Sequence, residues 1–497
     1  MSESMKSWKI ILKYLDTATL KVFLNLSKEF RESIIKSPEL MRKIPIVLCE
    51  HSSWRDLIPF LEKYGEHVME MKFLSVSLHE LEDVGIILKF TPNLENLCCR
   101  LNFVKTYVNA DGDIIYGIFE EEIKEDCIDF KLGKLKVVSI ESPEKIVLML
   151  IKALKHCVNI EEFNLSTTIT RHEQIIGEFL EHQNNLKKLS IEGSSDNLLE
   201  SIFTRSLVDR KFQLRALKLD CELDKFYPIL SEFLNTQTDS LEELEIPHYG
   251  MNFHYFRLIL KCVNLRKLII NFDGMFNGDR IAEIRNIRLP NVTYVEFKDF
   301  QCEFTVFEVV LGLFPNIEVL NTRIIYFSLH GILDNFPKLR KIISSEFRVE
   351  LLSFAKSQSL KQLDVNITIS IRDTFFWDHL AKNIPNIENL TIKYENNRKL
   401  LETTNMNSKA LLKSLKSFKK LKQCRITDPF SQTVYINLDE DSDDKVPVLD
   451  EKQPYTFILD IVLKEIFATR NFLLEHSQDL KELSEIFEIK EIVEISM

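Results

Sequence analysis

The chain has 497 residues, 45% hydrophobic and 28% charged, and 64 basic against 75 acidic side chains give a formal net charge of −11. A surplus of acid forfeits the counterion release that drives non-specific nucleic-acid binding, so no nucleic-acid partner is expected. Twelve glycines against 35 phenylalanines leave little material for phosphate-cradling loops or flexible linkers.

The first nine residues are polar and lack the apolar core of a signal peptide. Trp8 to Ile46 then reads as three short helices, with Asp16 or Thr17 able to cap one near Thr19 and Pro38 suited to the first turn of another. From the residues alone, such a segment is either a cap over the apolar end of a repeat array or a binding module. Ile11-Leu12 with Leu15, then Leu20, then Leu26-Ser-Lys-Glu-Phe30-Arg31, then Pro38, Leu40, Met41 and Ile44 resembles the F-box in order. Phe30 and Met41 replace the family's two Trp, and Glu3-Ser4 occupies the place of its opening Leu-Pro. The resemblance implies that residues 1–47 are an F-box-like segment that docks on a Skp-type adaptor and, through it, on a cullin. It further implies adaptor contacts by Ile11, Leu12, Leu15, Leu20, Leu26, Phe30, Pro38, Leu40 and Met41.

Beyond this segment one phrase recurs: an aliphatic residue, two variable, an aliphatic, one variable, an aliphatic. Leu135-Lys-Val-Val138-Ser-Ile140, Leu186-Lys-Lys-Leu189-Ser-Ile191 and Leu241-Glu-Glu-Leu244-Glu-Ile246 are examples. Openings from Leu135 to Ile387 succeed one another at 21 to 28 residues, with looser copies at Val68 and Leu94 and a last one at Leu421. The period fits leucine-rich repeats, whose units are about 20–29 residues long. Alternation within the phrase predicts a short strand with its apolar side inward. Between phrases, apolar residues three and four apart, such as Phe304, Phe307, Val310, Leu311 and Phe314, predict an amphipathic helix. Neither element buries its apolar side alone, so units must stack. The predicted fold is an α/β leucine-rich-repeat solenoid over 48–430, a horseshoe with a parallel concave sheet and convex helices. Leu217, Leu244, Leu268, Val295, Leu320, Leu363 and Leu390 should be almost fully buried. A Pro-Asn, Pro-Lys or Val-Asn pair before many phrases, as at Val158-Asn159 and Pro315-Asn316, turns the chain out of the helix. The Asn or Cys that leucine-rich repeats carry three residues after the third aliphatic is largely missing, so no regular asparagine ladder is expected.

The array is interrupted and closed by irregular stretches. An insertion at about 105–130 holds Ala-Asp111-Gly112-Asp113 between Val108 and Ile114, a hairpin signal. The chain has nine cysteines, an odd number, with no Cys-x-x-Cys pair; Cys98, Cys99, Cys157 and Cys262 sit in apolar contexts. Reduced thiols and a cytoplasmic or nuclear location are the expectation. Lys409 to Arg425 reads as a basic solvated helix face. Asp439 to Asp444 has the acidic alternation of a calcium loop, but Asp444 replaces the needed Gly and Pro447 breaks the pattern, leaving 431–454 as an acidic flexible loop. Residues 455–497 return to apolar patterning as a C-terminal cap. No apolar run reaches the roughly 20 residues of a membrane span, so no membrane partner is expected.

No Gly-x-x-x-x-Gly-Lys, Gly-x-Ser-x-Gly or His-Glu-x-x-His occurs. Catalytic residues, metal and cofactors are therefore expected to be none, and the chain is not expected to be an enzyme. The function implied by the resemblance is substrate recognition in an SCF-type (cullin-RING) ubiquitin ligase. The alternative is a leucine-rich-repeat scaffold or inhibitor whose N-terminal helices only cap the array. Substrate is expected where the outward phrase positions turn apolar, at Ile269, Tyr294, Val319 and Ile343, beside Lys267, Glu296, Asn321, Arg323 and Lys341.

Overall fold

The computed structural model of the chain describes residues 28–49, 54–76, 81–101, 105–108, 114–117, 132–167, 173–193, 213–220, 227–246, 253–271, 278–298, 304–325, 336–347, 357–367 and 380–394. It adds residues 199, 202–203, 418 and 420, and the stretches 423–427, 433–437, 455–458 and 487–489. They fall into two units, 1–248 and 249–497.

The first unit opens with helices α1 (Lys28–Ile35) and α2 (Pro38–Met41). Strand β1 (Ile46–Cys49), helix α3 (Trp54–Tyr64) and a 3-10 turn (Gly65–His67) lead to β2 (Glu70–Val76). Helix α4 (Leu81–Lys89) and β3 (Asn96–Leu101) come next, then a separate hairpin of β4 (Lys105–Val108) and β5 (Ile114–Gly117). After them stand β6 (Val137–Glu141), α5 (Glu144–Ala153), β7 (Glu162–Ser166), α6 (Glu173–Glu181) and β8 (Lys188–Glu192). Strand β9 (Ala216–Asp220), helix α7 (Tyr227–Gln237) and strand β10 (Glu243–Ile246) end the unit.

Strands β1, β2, β3, β6, β7, β8, β9 and β10 pair in that order, every pair parallel. Parallel neighbours require a crossover, and the helices supply it. Register stacks Met71, Leu97, Val138, Phe163, Leu189, Leu217 and Leu244 in one row, none more than 2% exposed. The helices lie on this side, as Phe163 of β7 and Phe179 of α6 show with ring centroids 5.4 Å apart.

The second unit repeats the plan. It contains α8 (Phe253–Ile259), β11 (Lys267–Ile270), α9 (Gly278–Ile284), β12 (Tyr294–Phe297), α10 (Phe304–Gly312) and β13 (Val319–Ile325). Strands β14 (Lys341–Phe347), β15 (Gln362–Ile367), β16 (Asn389–Tyr394) and β17 (Gln423–Thr427) continue it. The strands from β11 to β17 pair in parallel. Leu268, Val295, Leu320, Ile342, Leu363 and Leu390 form the buried row, at most 1% exposed. The seven leucines and valines picked from the sequence are thus all core. Phe297 meets Phe307 of α10 edge-on at 6.1 Å. The next row holds Ile270, Phe297 and Val365 but also Thr322 and Ser344, paired with each other in register and 1% exposed. The chain is an α/β leucine-rich-repeat solenoid in its local build: one strand per phrase, helices on one face, nearest neighbours in sequence paired in space.

Strands lie across and within the segments expected from the sequence to flank the array. Strand β1 straddles the predicted edge at residue 47 and already pairs with β2. Its register puts Lys43 where an opening aliphatic would stand, which hid the repeat from a search for the phrase. Within the stretch expected to be a loop, Thr433–Asn437 forms β18, antiparallel to β17. In the expected cap, β19 (Tyr455–Ile458) pairs antiparallel with β18, and β20 (Phe487–Ile489) pairs parallel with β19. The hairpin signal at 108–114 corresponds to the antiparallel β4–β5 pair, with Val108 opposite Ile114.

An asparagine ladder is present after all, displaced from its usual place. The asparagine just before a phrase donates its side-chain N–H to the carbonyl two residues ahead of the preceding phrase. Asn93 reaches Glu66 at 2.7 Å, Asn159 reaches Gly133 at 3.0 Å, Asn291 reaches Val263 at 2.9 Å, Asn316 reaches Pro290 at 2.8 Å and Asn386 reaches Gln358 at 2.7 Å. Two buried glutamines do similar work: Gln183 accepts from the N–H of Ile160 at 3.3 Å, and Gln237 from that of Leu214 at 2.7 Å. Turn carbonyls and phrase-opening amides outside the sheet's own hydrogen bonding are thereby paired.

Candidate functional site on the helix-free face

Strand alternation sends every second side chain to the face opposite the helices, a face that carries no helix among the described residues. In the second unit this face carries two rows in register. Lys267, Tyr294, Val319 and Lys341 align in one; Ile269, Glu296, Asn321 and Ile343 align in the next. The four strands span about 14 Å, and the rows lie about 7 Å apart. The pattern is a checkerboard. Two apolar centres stand between lysines in the first row, and two polar centres between isoleucines in the second.

Glu296 is the electrostatic hub. It is only 9% exposed, accepts from the Tyr294 hydroxyl at 2.7 Å and pairs with Lys298 at 2.8 Å. Burial alone would raise its pKa. Bonds from Lys298, Tyr294 and Asn321 outweigh that and hold the carboxyl below its ordinary value. The ammonium of Lys267 lies over the Tyr294 ring, 5.7 Å from its centroid, so the ring is engaged at its face as well as at its hydroxyl. Tyr294, Val319, Asn321, Lys341 and Ile343 are half-buried, and so is Lys267. Ile269, expected to stand open beside them, is 5% exposed and departs from that expectation. It shares the face by alternation, but the surrounding packing covers it, a long-range effect that strand periodicity does not carry. Arg323 lies in β13 with the strand parity of Val319 and Asn321; its side chain is outside the described residues.

The same face of the first unit is built differently. Lys72 pairs with Glu70 at 2.8 Å, Arg100 with Glu141 at 3.1 Å, and Lys188 with Glu162 at 3.6 Å. Lys218 lies between Glu192 and Glu245, both within ion-pair reach. Asp220 and Glu243 add further acid at matching register positions. Cys98 sits among them half-buried, and desolvation raises its thiol pKa, the opposite of what a nucleophile needs.

The N-terminal candidates divide. Ile11, Leu12, Leu15, Leu20 and Leu26 lie outside the described residues, as does the side chain of Phe30 in α1. Pro38 is exposed at the start of α2. Leu40 and Met41 are 1% and 2% exposed, and α2 packs against the 3-10 turn ahead of β2. Their burial among the described residues leaves Pro38 as the one exposed candidate of α2, whereas the resemblance implied that all three side chains meet the adaptor.

Among the described residues no group of His, Cys, Asp or Glu is arranged to hold a metal ion. Among them, too, no helix is long and apolar enough to cross a membrane.

No protein-family model matches the sequence, and no curated protein matches it. Among solved structures, the chain is similar to an internalin (inlF) from Listeria monocytogenes str. 4b F2365, at 14% identity and a TM-score of 0.33, covering 64% of this chain and 86% of that one. It is also similar to the Rad7 and Elc1 complex of yeast, at 14% identity and a TM-score of 0.38, covering 80% of this chain and 89% of that one. The repeat architecture is read from register and burial, independently of these likenesses.

Proposed function

We propose that the chain is a protein-recognition subunit of an SCF-type ubiquitin ligase, in which the helix-free face of the second unit holds a protein substrate and the N-terminal segment docks on a Skp-type adaptor. The observation that carries the substrate half is the Tyr294–Val319 centre set between Lys267 and Lys341. An aromatic and aliphatic core rimmed by charge is the composition that concentrates binding energy at protein interfaces. The chain itself performs no chemistry in this reading; it brings substrate to a partner enzyme, in the cytoplasm or the nucleus, without metal or cofactor.

The adaptor half rests on the F-box-like order of residues 11–44. A second reading, a repeat scaffold with a helical cap, has a specific observation in its favour: Leu40 and Met41 are buried, and their helix touches the 3-10 turn ahead of β2. Co-expression of the full chain with a Skp-type adaptor, followed by affinity capture, separates the two. Adaptor should be retained at stoichiometric level and lost on Leu15→Asp. Retention unaffected by Leu15→Asp and Pro38→Ala together, or no retention by the wild type, would leave the cap reading.

A further inference from the structure

The two units differ in the charge they present on equivalent faces. In the second unit six cations share the strand parity of the helix-free face: Lys267, Lys298, Arg323, Lys341, Lys393 and Arg425. Glu296 and Asp364 share that parity, Glu296 is already engaged by Lys298, and Glu346 stands where a register shift interrupts the alternation of β14. In the first unit four cations face seven carboxylates, and each cation lies within reach of a carboxylate of its own or a neighbouring strand. A chain of net charge −11 thus collects more cations than acids at this strand parity in its second unit, with Lys267, Lys298 and Lys341 the described side chains among them. Lys341 stands in register between Val319 and Gln362, neither of which carries a charge. No carboxylate stands directly opposite it in its row; the nearest by register is Asp364, diagonal to it on β15.

We propose that the helix-free face of the second unit binds an acidic, partly aliphatic peptide segment of the partner protein, with carboxylates meeting Lys267 and Lys341 and an apolar side chain set on Tyr294, Val319 and Ile343. The proposal rests on this face being the substrate-holding surface and names the chemistry of what it holds. Charge complementarity decides the class. Surplus cations around an apolar centre recruit anions that also carry hydrocarbon, and complementary potential raises both the encounter rate and the selectivity. A nucleic-acid strand supplies anions but no aliphatic side chain for Val319 and Ile343, and the acidic surplus of the chain as a whole repels it. Extended peptide advances about 3.3–3.6 Å per residue, so roughly four residues cross the four strands.

The test uses the full chain and fluorescence anisotropy. Three labelled probes are compared: a peptide alternating Glu with Leu, its Gln-for-Glu counterpart, and an oligothymidine strand. The Glu peptide should bind, and the Gln peptide should bind at least about tenfold more weakly, as expected when charged contacts are removed. Lys267→Glu with Lys341→Glu should weaken the Glu peptide to the same extent, whereas Lys188→Glu in the first unit should not. If the Glu variants lower the melting temperature, Lys267→Gln with Lys341→Gln provides the same reading without charge reversal. Equal binding of the Gln peptide, tighter binding of oligothymidine, or equal loss on Lys188→Glu would each overturn the acidic-peptide assignment. Adaptor capture is read separately. Its failure with peptide binding intact removes the ligase function and leaves this surface, and the reverse result removes this surface alone.

Discussion

The helix-free faces of the two units are each built on parallel strands with a similar period, yet they spend their side chains differently. On the first, Lys72, Arg100, Lys188 and Lys218 are neutralised by carboxylates on the same or adjacent strands. On the second, Tyr294, Val319 and Ile343 interrupt the polar pattern and the cations outnumber the acids. Along the first variable position of the phrase both units pair charge across strands, as Lys136 does with Glu95 at 2.9 Å and Lys361 with Glu388 at 2.8 Å. Cross-strand pairing is therefore general to the array, and its relaxation on one face is local. A face that satisfies itself gains solubility and little else. A face that leaves charge and hydrocarbon uncompensated is one that gains from a partner.

Four experiments test this contrast. The largest effect should come from the part that the units share. Leu217→Asp and Leu320→Asp place an unpaired carboxylate at positions 1% and 0% exposed, and each should cost several kcal/mol and unfold neighbouring repeats together. Circular dichroism through a thermal ramp reads it; a native-like melt for either would mean that the rows are not the core. Next comes the difference itself. Tyr294→Ala should cost about 2 kcal/mol of binding to the Glu–Leu peptide, a loss of roughly thirtyfold, while Lys188→Ala changes binding by less than about twofold. Isothermal titration measures both, and equal losses would erase the distinction between the faces.

Smaller, and common to both units, is the asparagine ladder. Asn159→Ala and Asn316→Ala should each lower stability by about 1 kcal/mol, leaving a turn carbonyl without its donor. Denaturant midpoints compared at constant slope would detect it; no change would mean that water replaces the amide. The smallest effect is the pH dependence at Glu296. Its folded pKa lies below the ordinary value of 4.5, so the carboxylate contributes stability that is fully present above the unfolded pKa and is lost as pH falls through the folded one. The contribution is under about 1 kcal/mol, because Lys298 remains partly exposed. Glu296→Gln should flatten the acid limb of the stability profile, and an unchanged limb would show that the Tyr294–Glu296–Lys298 set does not titrate as a unit.

Much of the fold was legible in the amino-acid order. The period of the phrase marked the strands, and alternation marked the buried rows, because the side-chain period of a strand is two whatever the fold around it. The hairpin at 108–114 was legible from turn chemistry alone. The ladder was not. Asparagines before the phrases read as turn formers, and only register shows each one within reach of a carbonyl about one repeat away in sequence. Strand β1 was hidden by a lysine at its opening position, and β18 by the acid-rich sequence beyond it.

The repeat, the core rows and the parity of side chains on the sheet come from the residues alone, since these depend on local geometry repeated along the chain. Which residues of the same parity are accessible is settled only when the repeats pack. Ile269 and Ile343 occupy equivalent positions in one row, but one is 5% exposed and the other half-buried. Leu40 and Pro38 belong to one four-residue helix, but one is buried and the other faces solvent. Accessibility depends on what neighbouring elements place overhead, and ion pairing on which strands become neighbours, so neither can be read from the period of a single repeat.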